Sequence, residues 1–157
     1  MTKVLYVIAL SGLCLRAEPS TEAAVEAVLP YASQVTGTVE DGWLQTEDGY
    51  LSADWLDSED PLNEHTYLGT WLTTAYTHSG NACFNGEYPE PDYTIATNSL
   101  PIGTEVYIEN LGYRVVQDRG PSSMPDAWLD VFVDTYSEAV SYGEQHHGVW
   151  VIGGASQ

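Results

Sequence analysis

Positive charge is scarce in this sequence. Its 157 residues hold 4 Lys plus Arg against 23 Asp plus Glu, a net charge of −19. A nucleic-acid partner would require a basic footprint, so that class is argued against. Docking on an anionic membrane is argued against for the same reason. The acidity itself has two readings, solubility through self-repulsion or cation binding. Cysteine is scarcer still, with 2 residues. Cys14 and Cys83 cannot form a disulfide framework, and both read as free, largely buried thiols. H-E-x-x-H, EF-hand and C-x-x-C spacings are missing, so no metal and no cofactor is expected.

Long apolar runs are absent too, and no segment is expected to span a membrane. The N-terminal VLYVIALSGLCL follows Met1-Thr2-Lys3 in the manner of a signal peptide. Arg16, Glu18 and Pro19 come next in place of a small-residue cleavage site. Val4–Leu10 is therefore read as a β-strand, with no cleavable signal peptide.

What is present is a folded, aromatic-rich chain, 43% hydrophobic with 11 Tyr and 5 Trp. Up to about Leu56 it reads as short apolar strands separated by turns, with EDGW and EDGY placing Gly before an aromatic. TEAAVEAVL is compatible with a short helix by composition, and its assignment stays open. Asp57–His65 is polar and acidic with Pro61, and residues 58–66 read as a linker. From Tyr67 onward YLGTWLTTAY, YTIAT, EVYIEN, YRVVQD, LDVFV and GVWVI read as strands. Thr135 with Glu138 forms a capping box that opens one helix, Tyr136 to about His146, closed by Gly148. The expectation is mainly β, with units at 1–57 and 67–157, the second a closed or nearly closed barrel.

The chemistry-bearing stretch is GYRVVQDRGPSSMPDAWLDVFV, Gly112–Val133. Asp118 and Asp130 sit at the mouths of two apolar strands. By alternation Arg114, Val116 and Asp118 share a face. An Asp at a strand end is commonly a turn former, and equally it can be an acid whose pKa is raised by apolar neighbours or a like charge. Asp126 and Asp134 read as loop solvation and a helix start. His146-His147 sit at the expected helix end, where cationic His is favoured. Ser122-Ser123 have no His near them in sequence to make a nucleophile. Arg119 either holds a ligand carboxylate or neutralises Asp118.

Two families are resembled. LCLRAEPS (Leu13–Ser20), DGW (Asp41–Trp43) and DGYLSADWL (Asp48–Leu56) resemble the bacterial SH3-like domain, with Ala17-Glu18 where that family has Ser-Gly. That likeness implies a small SH3-like barrel that recognises cell-wall peptides or acts as a spacer. TAYTHSGNA (Thr74–Ala82), SLPIGTEVYI (Ser99–Ile108), GYRVVQD (Gly112–Asp118), LDVFVDTYSEAVSYG (Leu129–Gly143) and VWVI (Val149–Ile152) resemble the 3D domain of bacterial and phage cell-wall hydrolases, named for three aspartates. The segment is similar to the catalytic barrel of membrane-bound lytic transglycosylase A. D-R-G-P also resembles the rare lipoprotein A type and the expansins.

The second resemblance implies a six-stranded double-psi β-barrel with one short helix and non-hydrolytic cleavage of peptidoglycan glycan strands. The family's D-T-G-G aspartate falls on Asp118 and its I-D-V-F aspartate on Asp130, implying catalytic roles. Its first aspartate falls on Asn98 or is deleted, and RGPSSMPDAW replaces its G-G-A-I-K-G loop. Thr74, Tyr76 and His78 fall in its T-A-Y segment. Thr74, Tyr76, Asn98 and Arg119 are the expected substrate-binding residues. The expected partner is peptidoglycan at the bacterial wall, acted on by a phage-encoded, virion-associated enzyme. The rival expectation is a non-catalytic wall-binding or structural module among other virion proteins.

Overall fold

A computed structural model describes residues 1–154. The chain is mainly β and divides into two compact units, Met1–His65 and Thr66–Gln157. The first contains β1 (Thr2–Val7), β2 (Leu13–Arg16), β3 (Val25–Leu29), β4 (Gln34–Glu40), β5 (Trp43–Gln45), β6 (Tyr50–Ser52) and β7 (Leu56–Asp57). They form one antiparallel sheet in the order β3-β2-β6-β5-β4-β1-β7. Period-2 alternation sends Leu5 and Val7 of β1 and Leu13 and Leu15 of β2 inward. These leucines share one core with Leu44 and Leu51, although β6, β5 and β4 separate the two strands. A single sheet achieves that only by curling over itself.

The turn chemistry is local. Asp41 and Gly42 are both left-handed, at φ 50° and 82°, and join Glu40 to its cross-strand partner Trp43. Two successive positive φ values make a two-residue hairpin whose twist matches its strands. TEAAVEAVL resolves as β3, not a helix: Leu29, Val28 and Ala27 pair with Leu13, Cys14 and Leu15. Alanine is a strong helix former, but propensity is a weak prior, and so short a segment does not nucleate a helix against an available sheet edge. Strand β1 ends at Val7, short of the expected Leu10. Pro61–Glu64 of the expected linker form a 3₁₀ turn, capped by Asp60 Oδ1 accepting from Leu62 N at 2.9 Å.

The second unit contains β8 (Thr66–Tyr76), β9 (Thr94–Ala96), β10 (Glu105–Ile108), β11 (Gly112–Asp118), β12 (Trp128–Phe132), α1 (Tyr136–Tyr142) and β13 (Gln145–Gly153). The strands close into the expected six-stranded barrel, β10-β11-β9-β12-β8-β13, with β13 paired back to β10. The pairs β8/β12 and β9/β11 are parallel and the others antiparallel. Trp71, Ile95, Val106, Ile108, Val116, Leu129, Val131 and Val149 fill the core. Closure leaves no unpaired edge.

The capping box is formed: Thr135 Oγ1 accepts from Glu138 N at 3.1 Å and Thr135 N donates to Glu138 Oε2 at 2.9 Å. The helix is shorter than expected. It stops at Tyr142, and Gly143 at φ 61° turns the chain into β13. His146 and His147 therefore lie on a strand opposite Leu72 and Trp71, not at a helix end. Their apolar cross-strand partners override the helical pattern.

Gly37 on β4 has no room for a side chain, since a Cβ there would collide with the Gln45 carbonyl oxygen. Gly37→Ala is expected to destabilise the first unit by about 1–3 kcal/mol. Amide hydrogen exchange checks this: faster exchange in the unit around Leu44 and Leu51, with the barrel amides unchanged.

Candidate active site

Asp118 ends β11 and Asp130 is central in β12, with β9 between them. Both have Ala96 as their Cα partner, and Asp130 also pairs with Thr74 on β8. Cross-strand partners project to the same side of a sheet. Asp118, Ala96, Asp130 and Thr74 thus form one row across four strands. The row faces away from Ile95 and Val131, which pair with each other in the core. With strands about 4.8 Å apart, the two Asp Cα atoms are roughly 10 Å apart. Ala96, whose side chain is a single methyl, is the residue between the two Asp in that row.

Strict alternation would put Asp118 on the side of Val116, which is fully buried in the core. The structure corrects that reading. The register shifts between Val116 and Asp118, because Gln117 is an extra residue in β11 relative to β9. A bulge of this kind re-aims the following side chain. Gln117 itself is buried, accepting from Thr94 Oγ1 and donating to Glu87 Oε2 at 2.8 Å.

Asp130 sits between buried Leu129 and Val131. Burial raises its pKa above the ordinary 3.8, a hydrogen bond from Thr74 pulls the other way, and the charge of Asp118 raises it further. Thr74 Oγ1 accepts from Trp128 Nε1 at 2.8 Å and donates to Asp130 Oδ1 at 3.0 Å. The indole is donor-only, so it directs the single hydroxyl proton of Thr74 toward Asp130.

Asp118 is an acceptor hub. Oδ1 takes the backbone N–H groups of Phe84 and Arg119, each at 2.9 Å, and Oδ2 takes Tyr76 OH at 3.4 Å. The Tyr76 phenol is pushed far up by burial, then by Asp118, Cys83 and Asp130. Tyr76 therefore stays a neutral donor between the two carboxylates. Burial and the Asp118 charge also push the Cys83 thiol up to about 11. Cys83 and Cys14 are both free.

Arg119 does not neutralise Asp118. Its Nη1 donates to Thr97 O at 2.7 Å and to Leu100 O, and its Cζ lies 5.8 Å from the Phe84 ring centroid. Among the described residues Arg114–Asp92 is the ion pair between permanently charged groups, and His78 Nε2 meets Asp134 Oδ1 at 3.0 Å. Asn98 is placed as a loop clamp: Nδ2 donates to Pro121 O at 2.7 Å and Oδ1 accepts from Gly120 N at 3.0 Å. Gly120 packs directly over buried Met124, whose sulfur would collide with a Cβ there. The loop from Arg119 to Trp128 thus hangs on Asn98 and on the Arg119 side chain.

Sequence reading missed the role of Asp134, which meets His78 Nε2 at 3.0 Å. The available signal was the period-2 series Thr74, Tyr76, His78. Phe132 binds that series together, with Tyr76 and His78 both edge-on to its ring. The contacts of Cys83 and Phe84 with Asp118 carried no signal, because the segments are far apart in sequence.

Among the described residues no group of His, Cys, Asp and Glu is arranged to hold a metal ion, and no helix is long and apolar enough to cross a membrane. A separate cavity of about 740 Å³ lies in the first unit, floored by Leu15, Leu29, Val35 and Leu51 with Glu47 and Asp48 among its polar lining. None of its lining residues belongs to the barrel. No family model matches the chain, and no curated protein matches it.

Two measurements check this geometry. A carboxyl with a raised folded-state pKa contributes stability below its ordinary value that is lost as pH rises through the raised one. Asp130→Asn is therefore expected to raise Tm at pH 7 and leave it unchanged at pH 3; an equal gain at both would contradict a buried carboxyl. Cys83 is expected to alkylate at least about a hundredfold slower than a free cysteine at pH 8. Asp118→Asn should speed it, by removing the charge that raises the thiol.

Proposed function

We propose that the second unit is a peptidoglycan-degrading enzyme of lytic transglycosylase type, built on a 3D-type double-psi barrel. The observation that carries this reading is the shared row of Asp130 and Asp118 flanking Ala96. One carboxyl is pushed toward its acid form by burial, with a like charge across one strand. Glycosidic cleavage requires a proton donor to the leaving oxygen near neutral pH.

Asp130 is the general acid. Its proton passes to the bridging oxygen while positive charge develops at the sugar C1, beside the Asp118 carboxylate. The departing strand leaves Asp130 ionised. It then takes the proton from a hydroxyl of the same sugar as that oxygen attacks C1, closing an anhydro ring and restoring the acid. No water is consumed, so a single acid/base suffices. Thr74, held by Trp128, fixes the Asp130 carboxyl, and Tyr76 fixes Asp118. The first unit, read as an SH3-like module, supplies wall attachment, with its cavity as the place for a wall peptide. The setting is the bacterial cell wall, reached by a phage-encoded, virion-associated protein.

The second reading is a wall-binding or structural virion module without turnover. Asn98 favours it: the family's first aspartate falls there or is deleted, and the Asn98 amide is committed to the backbone at Gly120 and Pro121.

Digestion of purified peptidoglycan with product mass spectrometry separates the two. Wild type is expected to release anhydro-muropeptides, Asp130→Asn to lose about 10²–10⁴-fold in rate, and Asp118→Asn to lose less. Sedimentation of the protein with insoluble peptidoglycan, without soluble product at any pH, would establish the second reading instead.

A further inference from the structure

Phe84 is 71% exposed, an apolar ring left in water beside the carboxylate row. Exposed apolar side chains on mobile loops are common and carry no message. Phe84 is not on such a loop. Its own backbone N–H donates to Asp118 Oδ1 at 2.9 Å, and the next residue, Asn85, donates from N to Gln117 O at 3.1 Å. Cys83 N bonds Glu87 O at 2.7 Å, Gly86 N bonds Cys83 O at 2.9 Å, and Glu87 N bonds Asn85 Oδ1 at 2.9 Å. Gln117 Nε2 then ties the Glu87 carboxylate down, and the Cys83 side chain is buried underneath. Residues 83–87 are a closed turn strapped to the bulge of β11, and the ring is its outward product.

The same turn brings the ring to Arg119, whose guanidinium is itself pinned on the Thr97 and Leu100 carbonyls. A fixed apolar face, a fixed cation and the Asp118 carboxylate therefore adjoin one another. The matching ligand has a flat apolar face ringed by hydrogen-bonding groups. A pyranose ring meets that description through its axial C–H groups and peripheral hydroxyls. A phosphate-bearing nucleotide does not suit a chain of net charge −19. An aliphatic side chain would require an enclosing pocket, not one exposed face.

We propose that Phe84 is a sugar-stacking platform that seats a pyranose of the glycan strand near Asp118, on the ring face opposite the one Arg119 lies over. This rests on the glycan-cleaving reading of the same site and specifies how the strand is held there. Phe84 acts in binding, so its loss raises KM and leaves kcat nearly unchanged, unlike loss of Asp130.

The test is NMR titration of the labelled full chain with chitotetraose, which contains no muramyl residue to form the anhydro product. Wild type, Phe84→Ala, Phe84→Leu and Phe84→Trp are compared, with amide spectra confirming the fold of each. Expected are shifts at the Phe84 ring protons, about 3- to 10-fold weaker binding for Phe84→Ala and Phe84→Leu, and retention in Phe84→Trp. Equal affinity of wild type and Phe84→Ala, full retention in Phe84→Leu, or no binding by wild type would each overturn the platform. Anhydro-muropeptide release is scored separately. Sugar binding without turnover sinks only the catalytic reading, and turnover without a Phe84 effect sinks only the platform.

Discussion

Asp118 reaches the row it shares with Asp130 only because β11 carries one residue more than β9 can pair. Gln117 is that residue, and its side chain is held by Thr94 and Glu87. Without the shift, Asp118 would follow Val116 into a core of aliphatic side chains, where a carboxylate is strongly disfavoured. With it, the carboxylate emerges beside Ala96 and finds the N–H groups of Phe84 and Arg119. The bulge therefore positions the second acid, the turn that carries Phe84, and the electrostatic environment of Tyr76 and Cys83. It is held at both ends, by the closed barrel on one side and the Cys83–Glu87 turn on the other.

Electrostatics in the site run by position more than by total charge. A net charge of −19 spread over an exposed surface is largely screened by salt. One charge across a single strand from a buried carboxyl is screened far less. Burial is the main cause that raises Asp130, Tyr76 and Cys83, and the Asp118 charge adds to all three. Arg119 would have weakened this effect by pairing with Asp118. Its guanidinium is instead committed to two carbonyls, which ties down the loop that follows β11 and leaves Asp118 outside the ion pairs of the described residues.

Local rules read correctly from local residues. EDGW makes a tight hairpin, Thr135 and Glu138 make a capping box, and alternating apolar residues make strands. Each depends on atoms within a few positions of one another. Distant partners decided what neighbouring residues left open or misplaced. TEAAVEAVL became β3 because β2 offered an edge, and Gln145–Gly153 became a strand through the His146 and His147 positions because β8 lay opposite. Of the candidate site residues, Thr74, Tyr76, Asp118 and Asp130 come together, while Asn98 and Arg119 serve chiefly to hold the loop.

The amino-acid sequence by itself determined a mainly β chain with one short helix, two strand-rich parts, and carboxylates set at apolar strands. Composition and period-2 patterning are properties of neighbouring residues and require no partner. Only the tertiary structure decided that Asp118 and Asp130 flank the same alanine, that Thr74 carries the indole hydrogen bond of Trp128 to one of them, and that Phe84 stands beside the other. Those facts depend on register, and register here turns on one unpaired residue whose effect appears only when β9 and β11 lie side by side.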